Sequence, residues 1–138
     1  MQPILQPPDV GNRASLGLLA VRLVAGTAFL LHGWGKIQHP MSWMPDGSIP
    51  GVLQACAALA EFGGGALWIL GAFTPIAALG ILVTMTVALS FHVRHGDPFV
   101  GMDGPSFESA LGYLATALLL LLAGPGRLSI DAVMARRR

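Results

Sequence analysis

The stretch VLQACAALAEFGGGALWILGA, residues 52–72, decides the fold. It is long and apolar enough to cross a bilayer, because a helix that rises about 1.5 Å per residue needs roughly 20 residues to span the hydrocarbon core. A carboxylate, Glu61, nevertheless lies near its middle. A charge at such a depth costs roughly 2.5–3.5 kcal/mol on insertion scales, so a functional site is the first hypothesis for Glu61.

The composition of the chain also favours a membrane protein. Its 138 residues are 54% hydrophobic and 11% charged, and one domain of this size has too little interior to hide that much apolar surface from water. A formal net charge of +1 gives no electrostatic basis for a nucleic-acid partner. The one cysteine, Cys56, excludes an internal disulfide and a dithiol mechanism within the chain.

Three further segments resemble the first in length and hydropathy. We expect spans at about 15–37, 52–72, 75–94 and 106–124. They are separated by the Pro- and Gly-rich residues 39–51, by Thr74 and Pro75, which suit a helix cap and a first turn, and by residues 95–106. Backbone polar groups in lipid must be satisfied within each segment, so the spans are helices. The sequence predicts an all-α integral membrane four-helix bundle.

The basic residues predict how this bundle is oriented. Five arginines share one side because an even number of spans returns the chain to its starting side: Arg13, Arg127, Arg136, Arg137 and Arg138. The opposite side has Lys36 and Arg94. By the positive-inside rule, both termini should be cytoplasmic. We divide the chain into a tail at 1–14, the bundle at 15–131 and a basic tail at 132–138.

This topology should gather ionisable side chains in the outer half of the bundle. Glu61 is expected about nine residues, some 13 Å, below the outer surface. His32 and Lys36 lie near the outer end of the first span, His92 near that of the third, and Glu108 begins the fourth. We therefore predict one polar site built from several helices.

Helical phase turns Glu61 towards the bundle interior. At 100° per residue, two stripes mix small and polar residues as membrane helix interfaces do: Arg22, Gly26, Phe29, Gly33 and Lys36 in the first span, and Gln54, Ala58, Glu61, Gly65 and Trp68 in the second. Glu61 should thus meet His32, Lys36 or Arg22.

Each of these site residues also has a purely structural interpretation. In this interpretation Glu61 pairs with a cation only to hold two helices together, and Lys36 extends its ammonium to the membrane interface. Glu108 complements the dipole at the N-terminus of its helix, and Trp68 packs against neighbouring side chains.

A metal or haem site is the weaker interpretation of the same residues. Two His and two Glu suit iron or zinc, and two His suit haem. The Glu-x-x-His spacing of di-iron bundles is absent, because Gly64 and Leu111 stand three residues after Glu61 and Glu108. We predict no metal site, and the residues alone do not distinguish a metal or haem site from a proton or quinone pocket.

The order of the motifs resembles a known family. The segments are RLVAGTAFLLHGWGKI (22–37), LAEFGGGALWILGAFTPIAALGILVTMTVA (59–88), His92, Glu108 to Tyr113, and GPGRLSID (124–131). Together they resemble the DoxX family of small bacterial four-helix membrane proteins over residues 20–131. The positions that match the family are Arg22, His32, Gly33, Lys36, Glu61, Gly64, Gly65, His92, Glu108, Gly126, Arg127, Ser129 and Asp131. One departure is Thr74, where the family often has a basic residue.

The resemblance implies a multi-pass protein of the bacterial cytoplasmic membrane. Some members are associated with thiosulfate oxidation coupled to quinone, and others with membrane complexes for thiol redox. The leading hypothesis is therefore a redox component that binds a quinone or similar molecule. Glu61, His32 and Lys36 would be catalytic, the first two relaying protons; substrate binding would fall to Arg22, His92, Glu108 and Trp68.

Two other functions stay open. One is a non-catalytic subunit, surrounded by membrane lipid, that binds a larger protein complex or a redox partner. The other is a small transporter or lipid-handling protein, for which no inverted repeat is evident.

Overall fold

The computed structural model describes residues 10–44 and 47–137. Within these ranges the chain forms five helices and no strand: α1 Asn12–Gln38, α2 Gly51–Leu70, α3 Thr74–His95, α4 Glu108–Ala123 and α5 Ile130–Ala135. The predicted all-α bundle is confirmed. By length and composition, α1, α2 and α3 can each cross a membrane, whereas α4 is an apolar helix of 16 residues.

Helices α1 to α4 run up and down in sequence order. The packing is most extensive between α1 and α2, continues from α2 to α3 and from α3 to α4, and is sparse between α4 and α1. Residues 36–51 and 95–108 therefore meet at one end, which we call the loop end. Residues 71–74 and 124–137 meet at the other, which we call the terminal end.

Three glycines bring the backbones of α1 and α2 into contact. A Cβ on Gly33 would lie 2.5 Å from the backbone nitrogen of Phe62, and one on Gly65 would lie 2.6 Å from that of Leu30 and 2.7 Å from the carbonyl oxygen of Gly26. Both predicted stripes are confirmed as packed surfaces, Lys36 being half-buried at the end of the first. The buried residues of α2 are Gln54, Ala58, Glu61, Gly64, Gly65 and Trp68.

The apolar core lies between the two ends of the bundle. Trp68 is completely buried and packs edge-on against Phe29, with 5.6 Å between ring centroids. The ring of Tyr113 from α4 packs on the same Phe29 at 4.8 Å. Ile81 and Leu120 are also fully buried, so all four long helices contribute to one core.

The chain folds back under the bundle at the terminal end. Arg22 is fully buried, and its Nη2 donates to the carbonyl oxygen of Leu128 at 2.7 Å. The two carboxylate oxygens of Asp131 accept from the backbone N–H groups of Phe73 at 2.7 Å and Thr74 at 2.9 Å. The backbone N–H of Asp131 in turn donates to the carbonyl oxygen of Gly71 at 2.9 Å.

The predicted cap by Thr74 is therefore wrong. The residue that precedes α3 is Phe73, with a left-handed φ of 47°, and no side chain at that position caps the helix. Asp131 does so instead, from far along the chain. The start of α4 also differs slightly from the predicted 106. The helix begins at Glu108, and the backbone N–H groups of Phe107 and Glu108 donate to the carbonyl oxygens of Pro98 and Phe99 in the preceding loop.

Candidate functional site

An ion pair between α1 and α2 forms the centre of the site. The Nζ of Lys36 lies 2.7 Å from both carboxylate oxygens of Glu61. The Glu61 side chain is 3% exposed and that of Lys36 is 27% exposed. Of the partners that the sequence left open for Glu61, the structure gives Lys36. The close approach of the two helices at Gly33, one turn before Lys36, allows this contact.

The loop after α1 covers the cation of this pair. Lys36 Nζ lies 4.6 Å from the centroid of the Trp43 ring, within the range of a cation–π interaction. The indole Nε1 of Trp43 donates to the carbonyl oxygen of Gln54 at 3.0 Å. Trp43 thus connects the ion pair to the first turn of α2.

Gln54 holds this loop in place. Its Oε1 accepts from the backbone N–H of Met44 at 2.9 Å, and its Nε2 donates to the carbonyl oxygen of Ile49 at 2.8 Å. Neither Gln54 nor Trp43 was among the predicted site residues. The role of Gln54 could have been predicted, because it lies on the same helical stripe as Glu61 and a buried amide needs hydrogen-bond partners.

An open pocket lies above the ion pair at the loop end. Its volume is about 550 Å³, and the described residues lining it are His32, Gly35, Lys36, His39, Ser42 and Trp43. It is open to its surroundings over most of its extent. His32 is exposed, and its ring meets Tyr113 edge-on at 6.2 Å. The pocket combines imidazole, ammonium, hydroxyl and indole groups, so it offers hydrogen-bond donors beside an aromatic face.

His92 and Glu108 reach the same end but do not line this pocket. The Nδ1 of His92 lies 2.7 Å from Oδ2 of Asp97, in the loop between α3 and α4. Glu108 is exposed in the first turn of α4. The structure therefore brings together His32, Lys36 and Glu61, and it leaves the other two at a separate part of the loop end.

Arg22 and Trp68 lie away from the pocket. Arg22 precedes Lys36 by four helical turns, roughly 21 Å, and belongs to the terminal end. Trp68 follows Glu61 by two turns, in the apolar core, where its Nε1 has no hydrogen-bond partner among the described residues. Over residues 10–44 and 47–137, no three His, Cys, Asp or Glu side chains are grouped so that they could hold a metal ion.

An apolar helical bundle with a polar pocket at one end defines a class of small multi-pass membrane protein, and comparisons with known proteins supply the family. The model of the DoxX family matches residues 17–94, which include both members of the Lys36–Glu61 pair. The chain belongs to the DoxX family. It is a multi-pass protein of the bacterial inner membrane.

Two relatives show how far the similarity extends. Inner membrane protein YqjF of Escherichia coli strain K12 is 30% identical over 126 residues, which cover 88% of this chain and 95% of the relative. Uncharacterized membrane protein Rv3486 of Mycobacterium tuberculosis strain H37Rv is 28% identical over 134 residues, covering 87% of this chain and 82% of the relative. No solved structure matches the chain.

Proposed function

We propose that this protein is the small-molecule-binding component of a membrane redox system and that its pocket takes a quinone-like headgroup. One observation carries the proposal: Lys36 belongs to both the buried ion pair and the pocket wall. Its ammonium is held by a carboxylate that is 3% exposed, while 27% of its own side chain remains accessible. Because Glu61 already fixes the position of the ammonium, the cation is preorganised for a ligand.

The donors of the pocket suit a carbonyl oxygen. An ammonium has three N–H donors, and the two contacts with Glu61 use two of them. The third is left for a ligand. Trp43 supplies an aromatic face for a flat ring, and Lys36 would stabilise the negative charge that develops on the oxygen as the ring is reduced.

Proton delivery in this proposal falls to His32, whereas Glu61, which does not line the pocket, holds the ammonium of Lys36. His32 lies one turn before Lys36 and lines the same pocket, and its two ring nitrogens can donate and accept hydrogen bonds. Two electrons and two protons convert a quinone to a quinol; a partner protein supplies the electrons, and His32 passes on protons that it regains from water at the open side of the pocket. The proposal gives no ligand contact to Arg22 or Trp68, since neither lines the pocket, and it leaves His92 and Glu108 outside the chemistry.

Titration with decylubiquinone tests the binding step. The purified full-length protein in mild detergent should lose tryptophan fluorescence on binding, and Trp43→Phe should remove most of that response. Lys36→Gln should weaken binding about ten-fold or more, because it removes a charged donor. Arg94→Gln is the matched control, an exposed cation at the same end, and should bind normally. Equal binding by the Lys36 and Arg94 variants would contradict the proposal.

A second candidate function is that of a non-catalytic subunit in a larger membrane complex. The same ion pair favours it, since Lys36 and Glu61 join α1 to α2 beside the glycine contact of Gly33 with Phe62. In that case the pair fixes the helix register and the pocket is incidental. Purification from native membranes would then give a stoichiometric larger enzyme, and quinone binding would be absent from the isolated chain.

A further inference from the structure

Helix α5 turns an apolar face away from the bundle. Ile130, Val133 and Met134 are spaced as one helical face, and their exposed fractions are 42%, 50% and 43%. Asp131 lies at the edge of this face, where its carboxylate contacts the start of α3. A short helix usually buries its apolar face against the protein, so this arrangement needs another apolar environment to cover it.

The contacts of α5 prevent that face from turning inward. Asp131 is bonded through its carboxylate to Phe73 and Thr74 and through its backbone to Gly71. Just before the helix, the carbonyl oxygen of Leu128 accepts from the buried Arg22. Together these bonds fix the rotation of α5 about its axis, and the apolar face stays outward.

The apolar face is flanked by further apolar and basic side chains. Leu128 is 51% exposed, and Phe73, whose backbone contacts Asp131, is 55% exposed. Arg136 and Arg137 follow the helix and are exposed, and Arg138 comes next in the sequence, outside the described residues. The nearby carboxylate of Asp131 is already bonded to α3. The surface is therefore both apolar and positively charged.

We propose that α5 and the arginines after it lie in the bilayer interface and bind anionic phospholipid headgroups. An outward apolar face beside a basic end is the arrangement of interfacial helices, which bury the face at the acyl boundary and keep the cations among the phosphates. The apolar face lies where the spanning helices meet the interface, because Phe73 immediately precedes α3. Charge complementarity selects anionic lipid, and each arginine near such a surface should strengthen binding roughly five-fold.

Fluorescence at a single site on α5 tests the proposal. In a Cys56→Ser background, a Val133→Cys variant carries an environment-sensitive label, and Asp103→Cys carries the same label in the loop between α3 and α4 as a control. The full-length proteins are placed in nanodiscs, which leave both faces accessible. The discs contain phosphatidylcholine alone or mixed with phosphatidylglycerol. Quenching by spin-labelled lipid is compared with quenching by aqueous iodide.

We expect lipid quenching at position 133 that increases with phosphatidylglycerol, and iodide quenching at position 103 in both discs. In the labelled protein, Arg136→Gln with Arg137→Gln should remove the dependence on phosphatidylglycerol, whereas Arg94→Gln should keep it. Three results would overturn the proposal. The first is a label at position 133 that iodide quenches in both discs, and the second is a label shielded from both quenchers, as contact with a protein partner would produce. The third is lipid quenching that does not depend on lipid charge or on the two arginines.

Discussion

The two ends of the molecule use a basic residue of α1 in opposite ways. Arg22 at the terminal end is fully buried and donates to the backbone carbonyl of Leu128. Lys36 at the loop end is bonded to a carboxylate and borders an open pocket. Both lie on one stripe of one helix, so position on the stripe does not decide their roles. The two cations differ in their surroundings. Arg22 is covered by the folded C-terminal segment, whereas Lys36 borders an open pocket.

The comparison predicts its largest effect at Arg22. Arg22→Ala should lower the free energy of unfolding by about 3 kcal/mol or more, because it removes a buried charged hydrogen bond and leaves a cavity beside Gly71. Thermal unfolding in detergent, followed by circular dichroism, measures the loss. Arg13→Ala, an exposed arginine of the same helix, is the control. An unchanged melting temperature for Arg22→Ala would show that this end does not depend on the arginine.

A smaller loss is expected where the two helices touch. Gly33→Ala should cost about 2 kcal/mol, because its methyl group would collide with the Phe62 backbone and push α1 from α2. It should also weaken ligand binding, since the Lys36–Glu61 contact depends on that approach. Gly63→Ala is the matched control in α2, with nothing within 4 Å of the added methyl group. Equal melting temperatures for the two variants would contradict the close packing.

Loss of the loop support should have a more moderate effect on stability. Gln54→Ala removes the side-chain hydrogen bonds with Met44 and Ile49 and should cost about 1–2 kcal/mol. The bond from Trp43 to the Gln54 backbone remains, but the loop that carries Trp43 loses its side-chain support at Met44, so the fluorescence of Trp43 should become more accessible to iodide. Identical iodide quenching curves for the wild type and Gln54→Ala would show that the Gln54 side chain does not hold the loop that carries Trp43.

The smallest effect is expected at the exposed pair of the loop end. His92→Asn should change the free energy of unfolding by less than about 0.5 kcal/mol, because its contact with Asp97 is partly exposed. Decylubiquinone binding should also be unchanged, since His92 does not line the pocket. A clear loss of binding would return His92 to the site that the sequence predicted.

The sequence specified the spans and their inward stripes because hydrophobic length and helical phase are local properties. The stripe containing Glu61 coincides with the buried residues of α2. Contacts between distant segments were harder to predict. Asp131 caps α3 from the far end of the chain, and Trp43 covers Lys36 from a loop without periodicity. Arg22 and Lys36 were equally suitable partners for Glu61 in charge, and only the helix packing distinguishes them.

The proposed function requires Lys36 to bind a ligand as well as to join α1 to α2. The direct measurement is decylubiquinone binding to the double variant Lys36→Met with Glu61→Leu, with its melting temperature measured alongside. An apolar pair of similar volume often preserves stability. We expect a protein that melts near the wild-type temperature and binds at least ten-fold more weakly. A stable double variant that binds like the wild type would contradict it and leave the ion pair a purely structural role.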